Sequence, residues 1–167
     1  MQTISNTFNR INHLTLNQKI VSTIFGTNES KAIAILRITL GIVLFPHGAQ
    51  KMLGWFGGYG FNGTMGFLTG AAGLPWILAF LVIAIEFFGA LALIVGFATR
   101  IVAVGIISLF AGIIFTSHLQ NGFFMNWAGS QQGEGFEYHL LIIGMAIALL
   151  VNGAGKWSID HALQRKK

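Results

Sequence analysis

Cysteine is absent from this 167-residue chain. That absence removes disulfide exchange, thiolate metal sites and cysteine nucleophiles together. It also excludes the four-helix membrane oxidoreductases that pass electrons from protein thiols to quinone, because those need a cysteine pair. Charge is scarce as well. Only 9% of residues are Asp, Glu, Lys or Arg and 54% are hydrophobic, whereas a soluble domain carries about a quarter charged residues. Strand-type alternation is missing, and the first 30 residues lack a basic tip followed by a compact apolar core. Neither a membrane β-barrel nor a cleavable signal peptide is therefore expected. The chain reads as an all-α integral membrane protein.

A helix needs about 20 apolar residues to cross a bilayer. Four segments reach or approach that length: Ala32 to Leu53, Pro75 to Phe97, Ile101 to Leu119, and the shorter Phe136 to Asn152. Pro75 opens the second where its missing N–H costs nothing. Gly96-Phe97-Ala98-Thr99-Arg100 predicts a tight hairpin into the third segment, Gln120 to Gly135 a longer loop, and Gly153-Ala154-Gly155 the end of the fourth before Lys156 and Trp157. No internal repeat is convincing, so one four-helix bundle over residues 32–160 accounts for the membrane domain. Glycine is plentiful, at 22 residues. Gly41 and Gly48, Gly89 and Gly96, and Gly105 and Gly112 each recur at seven residues, a spacing that predicts stripes of close helix contact.

Basic residues set the orientation. Of the 10 Lys and Arg, all but Lys51 fall on or near the side that would hold both termini of a four-span chain. By the positive-inside rule the termini and the Thr99-Arg100 turn face the cytoplasm, in the inner (plasma) membrane. The net charge of +5 is then a topology signal with some attraction to anionic lipid, not a nucleic-acid signal. Residues 1–31 place Phe8, Ile11, Leu14, Val21 and Ile24 at a rough helical spacing, which suits either a helix lying on the cytoplasmic leaflet or a loosely ordered tail. Residues 161–167 form a basic cytoplasmic tail. The stretch Gly54 to Gly73 mixes glycine with Trp55, Phe56, Tyr59, Phe61 and Phe67 and is expected to be an outer interfacial loop, or a shallow re-entrant dip.

Within the apolar runs, polar residues carry the functional signal. Glu86 sits near the middle of the second segment, where an unpaired carboxylate costs roughly 2 to 4 kcal/mol. It must be protonated or paired, and Arg37, Lys51 and a protonated His47 are the candidate cations. Arg37 lies about a turn and a half inside the cytoplasmic edge of the first segment, so it either snorkels to phosphates or pairs with Glu86. His47 and Lys51 share a helix face near the outer edge, where Lys51 also suits an interface anchor. His118 closes the third segment and Glu137 and His139 open the fourth, so the outer half collects titratable groups. No ligand spacing marks a metal site, and no two of His47, His118 and His139 share a segment at a haem-binding spacing.

Taken in order, these residues resemble the DoxX family of small four-helix membrane proteins. The resemblance covers about Ala34 to Leu163. It is carried by Arg37, Phe45-Pro46-His47-Gly48-Ala49-Gln50-Lys51, Gly73-Leu74-Pro75, Glu86-Phe87-Phe88-Gly89 and Gly96 with Thr99-Arg100. It continues through His118, Asn121-Gly122-Phe123-Phe124, Gly133-Glu134-Gly135-Phe136-Glu137 and Gly153-Ala154-Gly155-Lys156-Trp157-Ser158-Ile159-Asp160. Relatives in that family resemble subunits of quinol oxidase and thiosulfate:quinone oxidoreductase assemblies, or are linked to quinone and catechol resistance. The resemblance implies ligand-binding or proton-relay positions at Arg37, His47, Lys51, Glu86, His118 and Glu137. His139 has no match in the pattern.

Three functions fit. The first is an accessory subunit of a membrane redox system with an outer-half quinone pocket, in which His47 or His118 donates hydrogen bonds and Glu86 and Glu137 relay protons. The chain has no evident electron carrier and no residue singled out as catalytic, so flavin or iron–sulfur chemistry would come from a soluble or membrane oxidoreductase partner. The second is a non-enzymatic scaffold anchoring such a partner. The third, a small-molecule carrier, lacks inverted-repeat symmetry and broken helices. A homo-oligomer is compatible with all three.

Overall fold

A computed structural model describes residues 22–165, and those residues fold as helices joined by turns and loops, with no strand among them. The principal helices are α1 (Lys31–Leu53), α2 (Gly60–Gly66), α3 (Trp76–Val95), α4 (Thr99–Asn121), α5 (Glu137–Asn152) and α6 (Ile159–Arg165). Helices α1, α3 and α4 are long and apolar enough to cross a membrane, and α5 is a shorter apolar helix. Their ends lie within two residues of the four apolar segments read from the sequence.

Local chemistry explains the boundaries. The Ser30 hydroxyl accepts from the Ile33 N–H at 3.3 Å and so caps α1, satisfying one of the free donors of its first turn. Gly54 stops that helix in the left-handed conformation, with φ 74°, where glycine has no Cβ to clash. Pro75 caps α3 without needing a donor.

The helices pack α1 against α3 and α4 against α5, with α1 also meeting α5. Leu40 and Leu44 of α1, Leu93 of α3, Ala103 and Ile106 of α4, and Ile142, Ala146 and Leu149 of α5 form the shared core. Away from it Ile42, Leu78, Val104, Leu141 and Val151 are exposed on the outer faces. Such broad apolar exposure suits a hydrocarbon surround and would be unusual in water.

Glycine sets the α1–α3 distance. A Cβ on Gly48 would lie 2.5 Å from the Glu86 carbonyl oxygen and from the Phe87 Cα, and one on Gly41 would lie 2.9 Å from the Ala90 oxygen. The Gly41 and Gly48 stripe is thus a backbone-to-backbone seam. The expected stripe on α4 is not one: a Cβ on Gly105 would meet the Ile85 side chain at an ordinary 3.5 Å and one on Gly112 would meet nothing within 4 Å. Gly48→Ala must push two backbones apart, and we expect it to destabilise the protein by about 1 to 3 kcal/mol, while Gly112→Ala leaves it unchanged. Thermal unfolding of both variants in detergent checks this.

The Gly54 to Gly73 stretch departs from the loop expected of it. It contains α2, which runs into a π-helical turn over Phe67–Ala71 and packs Met65 on Ala79 and Ile83 of α3. The burial of Met65 and the flanking Phe61 and Leu68 outweighs the poor helix propensity of glycine. The surface helix expected through Phe8, Ile11, Leu14 and Val21 lies outside the described residues, as do Lys166 and Lys167 of the tail. Ile24 falls in a described helical turn, and the tail otherwise continues as α6.

Candidate functional site

Opposite the end of the bundle that holds α6, the helices splay around a cavity of about 830 Å³, within the range of small-molecule sites. Its walls are Leu44, His47 and Lys51 of α1, Val82 and Glu86 of α3, Phe110, Ile113 and Thr116 to His118 of α4, and Tyr138 and His139 of α5. Phe67, Leu68, Ala72 and Leu74 and the loop residues Met125, Trp127 and Glu134 complete it. Three π-helical turns, Phe67–Ala71, Ile85–Gly89 and Ile114–His118, each deliver lining residues. A π turn inserts one residue into the helical ladder and swings the following side chains out of register. Glu86 and His118 both reach the cavity from such turns.

Four of the six residues expected at the site meet here: His47, Lys51, Glu86 and His118. Lys51 Nζ lies 2.5 Å from Glu86 Oε2, and Glu86 is only 4% exposed. Gly48, one turn before Lys51, brings the Glu86 backbone against α1, so a missing side chain and an ion pair share one contact. Lys51 is thereby the counter-ion of Glu86 in addition to lying near the helix end.

A second polar cluster faces the first. The His118 and His139 rings are 4.3 Å apart between centroids, and His118 Nδ1 donates to the Glu134 carbonyl at 2.7 Å. His139 packs against Phe110 and Tyr138, is 8% exposed, and has no hydrogen-bond partner at Nδ1. Tyr138 and Trp127, which sequence reasoning did not single out, line the cavity too. Among the described residues no group of three or more His, Asp or Glu is placed to hold a metal.

Arg37 and Glu137 stand outside the cavity. Glu137 Oε1 accepts from the Met125 N–H at 3.0 Å and the Trp127 Nε1–H at 3.4 Å, folding the loop back onto α5. Arg37 neither snorkels nor pairs with Glu86. It is 0% exposed and its guanidinium donates to the carbonyls of Leu93, Ile94, Ala154 and Trp157. From Gly48, level with Glu86, Arg37 is 11 positions back on α1, about 16 Å along the axis, beyond the reach of any side chain.

The DoxX family model matches residues 32–119. The chain is 35% identical over 115 residues to Putative oxidoreductase CatD of Bacillus subtilis (strain 168), an alignment covering 69% of this chain and 75% of that one. It is 32% identical over 139 residues to Inner membrane protein YqjF of Escherichia coli (strain K12), covering 83% of this chain and 96% of that one. No solved structure matches it. With its apolar helices, the motifs on Arg37, Lys51, Glu86 and His118 and these relatives, the chain is a membrane protein that belongs to the DoxX family.

Proposed function

We propose that this protein is a four-span inner-membrane accessory subunit of a quinone-linked redox system, with both termini cytoplasmic and the cavity in the outer half. The observation that carries this reading is the cavity itself, large enough for a substituted ring and set among helices long and apolar enough to cross a membrane. Its apolar lining from Leu44, Leu68, Phe110 and Ile113 suits a flat ring, while the ion pair and the histidines supply polar contacts at its edge. The name of the Bacillus relative, an oxidoreductase, points the same way. Electrons must then come from a partner that carries flavin or metal, because this chain contributes ring-binding and proton-exchanging groups only. The bias of Lys and Arg toward the end with the termini supports the orientation.

Mass spectrometry of small molecules extracted from the detergent-purified chain tests the proposal. We expect near-stoichiometric quinone in the wild type, and at least a tenfold drop in Glu86→Gln and His47→Ala, since the first removes the carboxylate charge that pairs with Lys51 and the second removes an imidazole from the cavity wall. An empty wild-type cavity, combined with no uptake of added quinone, would overturn it.

A further inference from the structure

The two histidines of the cavity have tautomers that their surroundings set. His118 Nδ1 is 2.7 Å from the backbone oxygen of Glu134. A carbonyl only accepts, so Nδ1 carries the proton and, in the neutral ring, Nε2 is a free lone pair. The carbonyl is held in place, since the Asn121 side-chain amide donates to it at 3.0 Å. The Glu134 carboxylate is committed elsewhere, accepting from the Asn126 N–H at 2.7 Å. His139 is the complement. Its Nδ1 is buried without a partner, and a buried N–H with no acceptor is harder to tolerate than an unused lone pair. The proton of neutral His139 therefore belongs on Nε2. Lys51 donates to Glu86, and its remaining N–H groups meet either redox form equally, since both carry oxygen acceptors.

The tilted ring pair thus combines one acceptor and one donor. A hydroxyl matches both, because one oxygen donates and accepts, whereas a quinone carbonyl accepts only and leaves His118 Nε2 unpaired. We infer that the cavity selects the hydroxyl-bearing, reduced form of its ring ligand, a dihydroxyarene over the quinone of the same skeleton, and that His118 is the specificity-determining residue that accepts the ligand's O–H. This inference rests on the proposed quinone-type site and says which redox form occupies it.

The test is anaerobic titration calorimetry of the purified full chain in detergent with decylubiquinol and with decylubiquinone, two ligands that differ little in shape. One added hydrogen bond to the His118 acceptor, which is partly buried in the free protein and enclosed by the ligand, is worth up to about a tenfold difference in affinity. We expect the quinol to bind about tenfold tighter, and the ratio to fall to about twofold or less in His118→Phe, which keeps a flat ring beside His139 but has no acceptor. Equal affinities in the wild type, tighter quinone binding, or a preference retained in folded His118→Phe would overturn the inference while leaving the quinone-type site standing. Binding of neither ligand would overturn both. The wild-type ratio alone decides if the variant does not fold.

Discussion

Replacing Lys51 by methionine is expected to destabilise the protein by roughly 3 kcal/mol, the lower end of what breaking a buried ion pair costs. The lower end applies because the Lys51 side chain is 28% exposed, while that of Glu86 is 5% exposed and would be left without its cation. Glu86→Leu should cost less, since the lysine it strands can reach the helix end. The double variant Lys51→Met with Glu86→Leu should recover much of the loss, because an apolar pair at membrane depth carries no desolvation penalty. A double-mutant cycle on thermal unfolding measures the coupling, and additive losses would show that the pair contributes nothing as a pair. Ligand content of the folded double variant then separates the functions. If quinone is lost while the fold is intact, the pair belongs to the binding site. If ligand content or partner activity persists, the pair is architectural and the scaffold alternative gains.

The apolar helices were legible in the sequence because length and apolarity alone define a membrane helix, whereas the seven-residue glycine spacing was ambiguous: Gly41 and Gly48 form a seam and Gly105 and Gly112, at the same spacing, do not. The need of Glu86 for a cation was legible from the same apolarity, but the identity of that cation was not. It depends on which α3 residue lies opposite Gly48, a register that the seam sets and that no residue type declares. The π-helical turns that swing Glu86 and His118 into the cavity have no residue signature, since any apolar sequence can adopt them when neighbours demand it. His139 was named among the outer-half titratable groups but not paired, because its partner His118 is 21 positions away, and only the folding of the loop through Glu134 and Glu137 brings the rings together. Tyr138 was hidden beside it for the same reason. Arg37 misled in the opposite direction: an arginine near a cytoplasmic edge resembles a lipid anchor, and nothing local reveals that the chain returns over it 117 residues later.

That return leads to the largest effect we expect. Arg37→Met should leave little folded protein, with a loss of roughly 3 to 5 kcal/mol or more. The guanidinium Nε donates to Ala154 O at 2.8 Å, Nη1 to Leu93 O and to Ile94 O at 2.8 Å, and Nη2 to Trp157 O at 3.0 Å. Two of these carbonyls belong to the last turn of α3, where the macrodipole is negative; Leu93 O also accepts from the Gly96 N–H at 3.2 Å. Gly96, with φ 71°, lies so close that a Cβ there would be 2.9 Å from Arg37 Cζ. Asp160 completes the turn from below, accepting from Ala98 N at 2.8 Å and Thr99 N at 3.0 Å, while its own N–H donates to Gly96 O at 2.9 Å. Ala98 at φ 49° and Trp157 at φ 55° hold left-handed conformations unfavourable to residues with a Cβ, and the bonds to Asp160 and Arg37 are what hold them there. Methionine at position 37 leaves the buried Ala154 carbonyl without its side-chain donor, strips the guanidinium from Ile94 and Leu93, and releases Trp157. Arg37→Lys should fare nearly as badly, because one ammonium cannot span carbonyls on two segments. Asp160→Asn, which turns an amide donor toward backbone donors, should cost about 1 to 3 kcal/mol. Yield by size-exclusion chromatography and midpoint of unfolding in detergent measure all three. A melting temperature of Arg37→Met within a few degrees of wild type would refute the keystone role. Such a result would also reopen Arg37 as a ligand-site residue, because a buried charge that the fold does not need must be retained for something it binds.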